Sequence, residues 1–288
     1  MGITFAFLAL FCWGVGDFLI QKSTRKFGAL IALFYVTVFG TITLLPFVYK
    51  DIGALFSGSG SNLLALLFTG TLILFAGLLD FKALKVGKIC VVEPIFAFEV
   101  PITAIIAMLV LREYLSPLQT ALILLLFLSI ILVSVRRFKD FNKVKVEQGI
   151  WLAIFATIGM GAVNFMMGYS SRLTDPLMVN WFINIFIALP LFFYLMITGQ
   201  IRKTVGFLPD NKKLILSVCL FDNLAWIFFT VSALYIPIAI ATGISESYIA
   251  LAAGLGIIIN KEKLFLHQKI GLVVCVVAII LIALATKD

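Results

Sequence analysis

The chain has 288 residues, of which 62% are hydrophobic and 12% are charged, and its mean hydropathy is +1.16. A soluble domain is about one quarter charged, so this composition argues against one and indicates a polytopic membrane protein. The net charge of +8 does not indicate nucleic-acid binding. The basic residues are scattered in short segments between apolar runs, which is how membrane proteins distribute them.

The sequence contains no pattern typical of a metal or cofactor site. The four cysteines, Cys12, Cys90, Cys219 and Cys275, lie in apolar runs without metal-ligand or disulfide spacing, so we expect them to pack. The single histidine, His267, stands alone at the start of an apolar run. We therefore expect no cofactor, no metal and no nucleic-acid partner. A homo-oligomer is neither predicted nor excluded.

Ten apolar runs have the length of a membrane-spanning helix, which is about 20 residues for a bilayer core about 30 Å thick. They predict an all-α polytopic membrane protein, with helices numbered 1 to 10 in chain order. The predicted ranges are Ile3–Gln21, Ala29–Tyr49, Asn62–Phe81, Ile89–Leu111, Pro117–Val135, Gly149–Tyr169, Pro176–Ile197, Leu214–Leu234, Ile238–Asn260 and His267–Ala285.

The two halves of the chain repeat one pattern, which predicts a five-helix repeat over 1–135, a basic linker over 136–148 and a second repeat over 149–288. Helices 4 and 9 each end at a glutamate, Glu113 and Glu262, and a glutamine follows each at the same spacing. The segment Trp13–Phe18 aligns with Met160–Phe165. Because five is odd, the second half enters the membrane in the opposite sense, as in many secondary transporters whose site lies at the repeat interface.

These features resemble the ten-helix EamA-type members of the drug/metabolite transporter superfamily, and the resemblance covers nearly the whole chain. It rests on the two five-helix halves, the Trp13-Gly14 pair and the capping glutamates. The resemblance implies a central cavity between the halves, with helices 5 and 10 at the periphery. One departure concerns the caps, which in the family usually read Gly-Glu. Here they read Arg112-Glu113 and Lys261-Glu262.

Acidic residues lie well inside the predicted helices, without lysine or arginine at comparable depth. An ionised acid at a helix centre costs about 2.5–3.5 kcal/mol on insertion scales, so these residues should face a wet cavity, be protonated, or both. Their estimated depths form a ladder across the membrane, which suits a proton relay or a path for a cationic group. The five acids are Asp17, Glu93, Glu99, Asp222 and Glu246.

Polar and aromatic residues near these acids complete the predicted substrate and proton site. Asn164 is the repeat partner of Asp17, Trp226 lies one turn after Asp222, and Thr242 lies one turn before Glu246. Two further amides, Asn180 and Asn184, share a face of helix 7. We expect Glu113 and Glu262, at the helix ends, to be structural caps that hydrogen-bond backbone.

Two assignments remain open within this site. We expect Glu99, with Glu246 opposite it in the other half, to carry the coupling, because Glu99 lies nearest the midplane on helix 4. The alternative pairs Glu93 with Asp17 at equal depth and leaves Glu99 as a hydrogen bond between helices. Glu93 and Glu99 are about 240° apart around the helix, so they do not share a face.

The sequence thus predicts a secondary transporter of small organic solutes that works by alternating access and is proton-coupled, not an enzyme. The acids favour a cationic or zwitterionic substrate in a multi-pass protein of the cell membrane. One alternative is a scaffold or channel without active transport. The other is an intramembrane aspartyl protease, because Gly14-Val15-Gly16-Asp17 matches Gly-x-Gly-Asp. That class needs an earlier helix-borne Asp and a later Pro-Ala-Leu, which this chain lacks.

The distribution of basic residues predicts the orientation in the membrane. Of the 22 lysines and arginines, 18 lie on the side that carries the loops after helices 1, 3, 5, 7 and 9. The positive-inside rule makes that side cytoplasmic and both termini external, although the resemblance implies internal termini. We expect a C-terminal periplasmic-type reporter to be active. A C-terminal fluorescent fusion that lights up in the cytoplasm would contradict this orientation.

Overall fold

The computed structural model describes residues 1–57, 60–87, 92, 95–135, 149–248, 250–251 and 265–286. Within these ranges the chain forms helices and short connections without a strand, as an all-α class requires. In chain order the helices α1 to α11 are Gly2–Phe27, Ala29–Val48, Ile52–Ser57, Gly60–Val86, Glu99–Leu111, Pro117–Ser134, Ile150–Leu173, Pro176–Ile197, Ile201–Tyr235, Ile238–Ser245 and Leu266–Ala285.

The helices are those of a polytopic membrane protein, which confirms the predicted fold class. Seven are long and apolar enough to cross a membrane, namely α1, α2, α4, α7, α8, α9 and α11. Two shorter apolar helices, α5 and α6, belong to predicted helices 4 and 5. The small helix α3 was not predicted, because the Gly/Ser-rich segment around it indicates a loop.

Helix 3 extends beyond its predicted end, from Phe81 to Val86, because the charged residues in its last turns lie along a helix rather than in a loop. In α9, a helical segment that begins at Ile201 is separated by a kink at Asn211, with φ −127°, from the helix that contains predicted helix 8. The nearby Pro209 lacks an N–H for the helical ladder, which accounts for a kink in this segment.

Predicted helices 4 and 9 are each interrupted near the centre. Each contains a turn, at residues 97–98 and at residues 246–247, and the two turns coincide when Glu113 is aligned with Glu262. The Phe98 N–H donates to the Ile95 carbonyl at 3.1 Å, and the equivalent Ser247 N–H donates to the Ile244 carbonyl at 3.2 Å. These i to i−3 bonds are 3₁₀-type, and such turns inside helices often mark functional hinges.

Proline chemistry explains part of the first turn. Pro101 has no N–H, so it cannot bond the Ala97 carbonyl one helical turn earlier. The Val100 N–H instead approaches that carbonyl at 3.4 Å, which tightens the backbone at the start of α5. The second turn contains no proline, and it is occupied by Glu246 itself. The ends of predicted helices 4 and 9 at 88–91, 93–94 and 252–260 lie outside the described residues.

Helix packing follows the same pattern in both halves. The α1–α9 contact, between predicted helices 1 and 8, has its counterpart in α4–α7, between helices 3 and 6. The α5–α7 contact, between helices 4 and 6, likewise has its counterpart in α1–α10. The pairs α2–α8, α5–α10 and α6–α11 join equivalent helices. This is the arrangement expected of two related halves, while the boundaries at 135 and 149 and the linker 136–148 stay a prediction.

Helices α6 and α11 form a pair at the periphery, and the repeated glutamines join them. Gln119 completes a capping box with Ser116 at the start of α6, and the Gln268 side chain caps the Phe265 N–H at 3.1 Å. The Gln268 amide also donates to the Val133 carbonyl at 2.9 Å, and the Gln119 amide donates to the Ala285 carbonyl at 3.5 Å. Each glutamine therefore caps its own helix and bonds the end of the other.

The glutamate after helix 4 fastens the corner between α9 and α10. Glu113 forms an ion pair with Arg172 and accepts the Ile238 N–H at 3.0 Å. The Arg172 guanidinium donates to the Ala233 carbonyl at 2.7 Å and the Ile236 carbonyl at 3.0 Å. An anion thus meets the start of α10 and a cation meets the end of α9, which is the favourable arrangement for both helix dipoles. The corresponding Glu262 lies outside the described residues.

Replacing Glu113 by glutamine should destabilise this corner. The neutral amide loses the ion pair and weakens the cap on α10, which we expect to cost about 1–3 kcal/mol because the pair is partly buried. The measurement is the thermal unfolding temperature of the detergent-purified protein, with Asp210→Asn as a control at an exposed acid. A Glu113→Gln variant that melts like the parent but loses proton coupling would refute the structural role.

Candidate functional site

A cavity of about 100 Å³ lies between the two halves and is lined by helices from both. Its walls come from α1, α2, α4, α5, α7, α8 and α9, together with the turn after α10. Helices α6 and α11 do not line it, in keeping with their peripheral position. Its polar and aromatic lining includes Trp13, Asp17, Thr37, Asp80, Glu99, Asn164, Asn180, Asn184, Asp222, Asn223, Trp226, Glu246 and Tyr248.

Most residues of the predicted site lie in this one cavity. Thr242 is not among the lining residues, because it is fully buried and its hydroxyl donates to the Ile238 carbonyl at 2.9 Å. Glu93 lies outside the described residues. That the remaining residues bind substrate or protons stays a prediction. Those that line the cavity are Asp17, Glu99, Asn164, Asn180, Asn184, Asp222, Trp226 and Glu246.

Asn164 bridges the two glutamates that come from helices 4 and 9. Its Nδ2 donates to Glu99 Oε2 at 3.1 Å and approaches Glu246 Oε1 at 3.4 Å. Glu99 is the first residue of α5, directly after the first 3₁₀-type turn, and Glu246 lies within the second. The interrupted helices therefore deliver one buried carboxylate each to the same amide of α7.

A second cross-half pair matches this one. Tyr248 hydrogen-bonds the carboxylate of Asp17, so helix 9 meets helix 1 just as helix 4 meets helix 6. When Glu113 is aligned with Glu262, Tyr248 is equivalent to Glu99. When the segment Trp13–Phe18 is aligned with Met160–Phe165, Asp17 is equivalent to Asn164. Both pairs take their acid from the first half and their neutral donor from the second.

Asp222 lies at the side of the cavity that carries the tryptophans. It is 8% exposed, it lines the cavity, and no hydrogen bond joins its carboxylate to another group in the described part of the chain. Trp226, one turn later, meets Trp13 edge-on, with ring centroids 5.2 Å apart at 89°. The carboxylate and the aromatic faces together suit a cationic group.

Asp80 is a lining residue that the sequence analysis missed. It was placed at the end of helix 3, although α4 continues to Val86 and carries Ile73, Gly77 and Asp80 along one face. The repeat could have identified Asp80 as a residue inside a helix. When Ala83-Leu84 is aligned with Ala233-Leu234, Asp80 is equivalent to Thr230, which lies well inside predicted helix 8.

The cavity is electrostatically dominated by carboxylates. Asp17 interacts with each of the other four acids, which are Asp80, Glu99, Asp222 and Glu246. Lysine and arginine are absent from its lining in the described part of the chain. Among the described residues, no group of three His, Cys, Asp or Glu side chains is arranged to hold a metal ion.

Amides fasten the helices on the opposite wall. The Asn184 Nδ2 donates to Asn223 Oδ1 at 3.0 Å, and the Asn223 Nδ2 donates to the Val36 carbonyl at 3.1 Å. The network thereby joins α8, α9 and α2. Gly40, one turn along α2, lies against both side chains, and a Cβ there would collide with Asn223 and Asn184.

The comparison with known families agrees with this geometry. The model of the EamA-like transporter family matches residues 1–135 and 147–284. The chain belongs to the EamA-like transporter family. A crystal structure of a protein with 14% sequence identity superposes with a TM-score of 0.72, covering 99% of this chain and 96% of that one, which supports the fold alone. No match was found among curated proteins.

Gly40→Ala should disturb the amide network. The added Cβ meets the amides of Asn223 and Asn184, so we expect a loss of about 1–3 kcal/mol in stability from overpacking, measured as a lower melting temperature. Gly206→Ala is the control, because a Cβ on that helical glycine meets nothing within 4 Å. Alanine there should be neutral or stabilising. Equal melting temperatures for the two variants would argue against close packing at Gly40.

Proposed function

We propose that the protein is a secondary active transporter of small cationic or zwitterionic organic solutes. The observation that carries the proposal is one cavity between the halves whose lining includes five carboxylates, contributed by both halves. Membership of a transporter family supports transport as the activity. In membrane proteins, ionisable residues that face a cavity mark substrate paths and proton relays.

The charge of the cavity supports the proposed substrate class. An ammonium group gains charge-assisted hydrogen bonds from Glu99, Glu246 or Asp17, and an aromatic face at Trp226 adds attraction. A solute that carries only negative charge would meet like charges without a lysine or arginine partner among the described lining residues. Small amines and amino acids fit these requirements better than phosphorylated or purely anionic compounds.

Proton coupling follows if substrate and protons compete for the same carboxylates. In this mechanism Glu99 and Glu246 hold protons while the cavity is empty, and an arriving cation displaces them. Asn164 supports the exchange, because its amide donates to both carboxylates and stabilises the form that has lost its proton. The 3₁₀-type turns that hold Glu99 and Glu246 are the proposed hinges of alternating access.

Two other functions receive less support. A scaffold has no need for carboxylates from two repeats around one cavity, since each buried acid costs folding free energy. An intramembrane protease would use Asp17 with a second aspartate. Asp17 here hydrogen-bonds Tyr248, and it lies among four other acids rather than in an isolated dyad. We further propose a cell-membrane location, with both termini external and the loops after odd-numbered helices cytoplasmic.

Substrate-driven proton flux in proteoliposomes tests the mechanism. Glu99→Gln preserves the shape of the side chain but cannot hold an exchangeable carboxyl proton, so we expect at least a tenfold loss of flux with the protein still folded. Asp210→Asn, at an exposed acid on α9, should keep the parental flux. The readout is an internal pH dye after addition of an outward or inward amine gradient.

The companion variant Glu93→Gln separates the two assignments that the sequence leaves open. If Glu93 pairs with Asp17 in coupling, Glu93→Gln should lose the flux while Glu99→Gln retains it. That result would show that the wrong residue was chosen, without refuting transport. Absence of proton flux for the parent with every amine and amino acid tested would refute proton coupling itself.

A further inference from the structure

The negative charge of the cavity is distributed rather than gathered at one point. The five lining acids come from five elements, which are α1, α4, α5, α9 and the turn after α10. One ammonium group lies against one or two carboxylates at a time. A solute with a single positive charge therefore leaves most of the five carboxylates without a positively charged partner.

The Glu99–Glu246 pair is one group of acceptors in the cavity. Both carboxylates are buried, at 5% and 6% exposure, and both face the same Asn164 amide. Asn164 supplies two amide hydrogens at most, while two carboxylates offer several acceptor positions. The pair thus retains the capacity to accept hydrogen bonds from an ammonium group of a ligand.

Asp222, on α9, is a second acceptor in the cavity. Its carboxylate is more than nine-tenths buried, lines the cavity, and lacks a hydrogen-bond partner among the described residues. A buried polar group without a partner costs free energy, so this carboxylate is in place for a group that the protein does not itself provide. The Trp13–Trp226 pair beside it offers aromatic surface to a cation and to methylene groups.

We propose that the cavity binds a linear aliphatic diamine, with one ammonium group at the Glu99–Glu246 pair and the other at Asp222. The inference rests on the proposed transport function and narrows its substrate class. Asp17 and Asp80 line the same cavity and interact electrostatically with Glu99, Glu246 and Asp222. An α-amino acid fits less well, because its carboxylate would lie among these acids.

Binding of three amines to the detergent-purified protein tests the inference by calorimetry. The probes are 1,4-diaminobutane, 1-aminobutane, and N-(4-aminobutyl)acetamide, which keeps the length of the diamine but only one positive charge. We expect the diamine to bind at least about tenfold more tightly than either monocation, which corresponds to about 1.4 kcal/mol. This comparison uses the parental protein and does not depend on the folding of any variant.

The variant Asp222→Asn should remove the advantage of the second charge. Diamine affinity should fall about tenfold, to the level of the monocations, while affinity for 1-aminobutane changes less than about threefold. Asp210→Asn, the same substitution on an exposed part of the same helix, should leave all three affinities unchanged. Equal affinities for the three amines in the parent would overturn the inference, as would an equal loss for all three in Asp222→Asn.

Proton flux distinguishes this failure from failure of the proposed function. If 1-aminobutane drives proton flux in proteoliposomes as effectively as the diamine, and binds as tightly, the transporter proposal stands and the diamine inference falls. If the diamine binds as expected but neither amine moves protons, the cavity is a diamine site and proton-coupled transport is refuted.

Discussion

The placement of five carboxylates around one small cavity, three of them buried, is the constraint on which the other features of this fold depend. Each ionised acid within the membrane costs several kcal/mol unless water, a proton or a partner compensates it. The protein compensates two of them with the amide of Asn164 and a third with Tyr248. Asp222 has no hydrogen-bond partner among the described residues, so water, a proton or a group that enters the cavity must compensate it.

The interruptions of helices 4 and 9 serve the same requirement. A regular helix satisfies all of its backbone groups and projects its side chains at fixed angles. A 3₁₀-type turn rotates the residues on either side relative to one another, and here it brings Glu99 and Glu246 to one amide. The two turns fall at equivalent positions of the halves, although the two acids do not, because Glu99 aligns with Tyr248 and Glu246 aligns with Ala97.

Much of this arrangement follows from patterns that a sequence displays, and some of it does not. Apolar length predicts the spans, and the repeated glutamines predict the pairing of the two peripheral helices, because each glutamine bonds the end of the other helix. The turns at 97–98 and 246–247 are harder to predict. Pro101 lies near the first, whereas the second falls at Glu246-Ser247 without a proline nearby, so the two turns share no sequence pattern. Hydropathy cannot separate a span from a span with a turn in it.

The sequence also predicts only part of the site. Asp17, Glu99, Asp222 and Glu246 lie deep in apolar runs, which predicts that they line a cavity, because acidic residues are rare at lipid-facing positions. Asp80 is not predicted in this way, because the nearby Lys82 and Lys85 indicate the end of a helix rather than its interior. Arg112, at the first cap, has φ 54° and so occupies a left-handed position. Glycine is unstrained in this conformation, which accounts for the usual Gly-Glu of the family at this cap.

The two cross-half pairs also show why the halves are not interchangeable. In an exact inverted repeat, Glu99–Asn164 and Tyr248–Asp17 would contain the same residue types, and the cavity would have the same charge seen from either side. In this chain both acids of these pairs belong to the first half and both neutral donors to the second. If the halves exchange conformations during alternating access, the exchange opens a different pair on each side. The two halves therefore present different neutral donors to the cavity, an amide beside Glu99 and a phenol beside Asp17, so the repeat does not make the two sides of the cavity chemically equivalent.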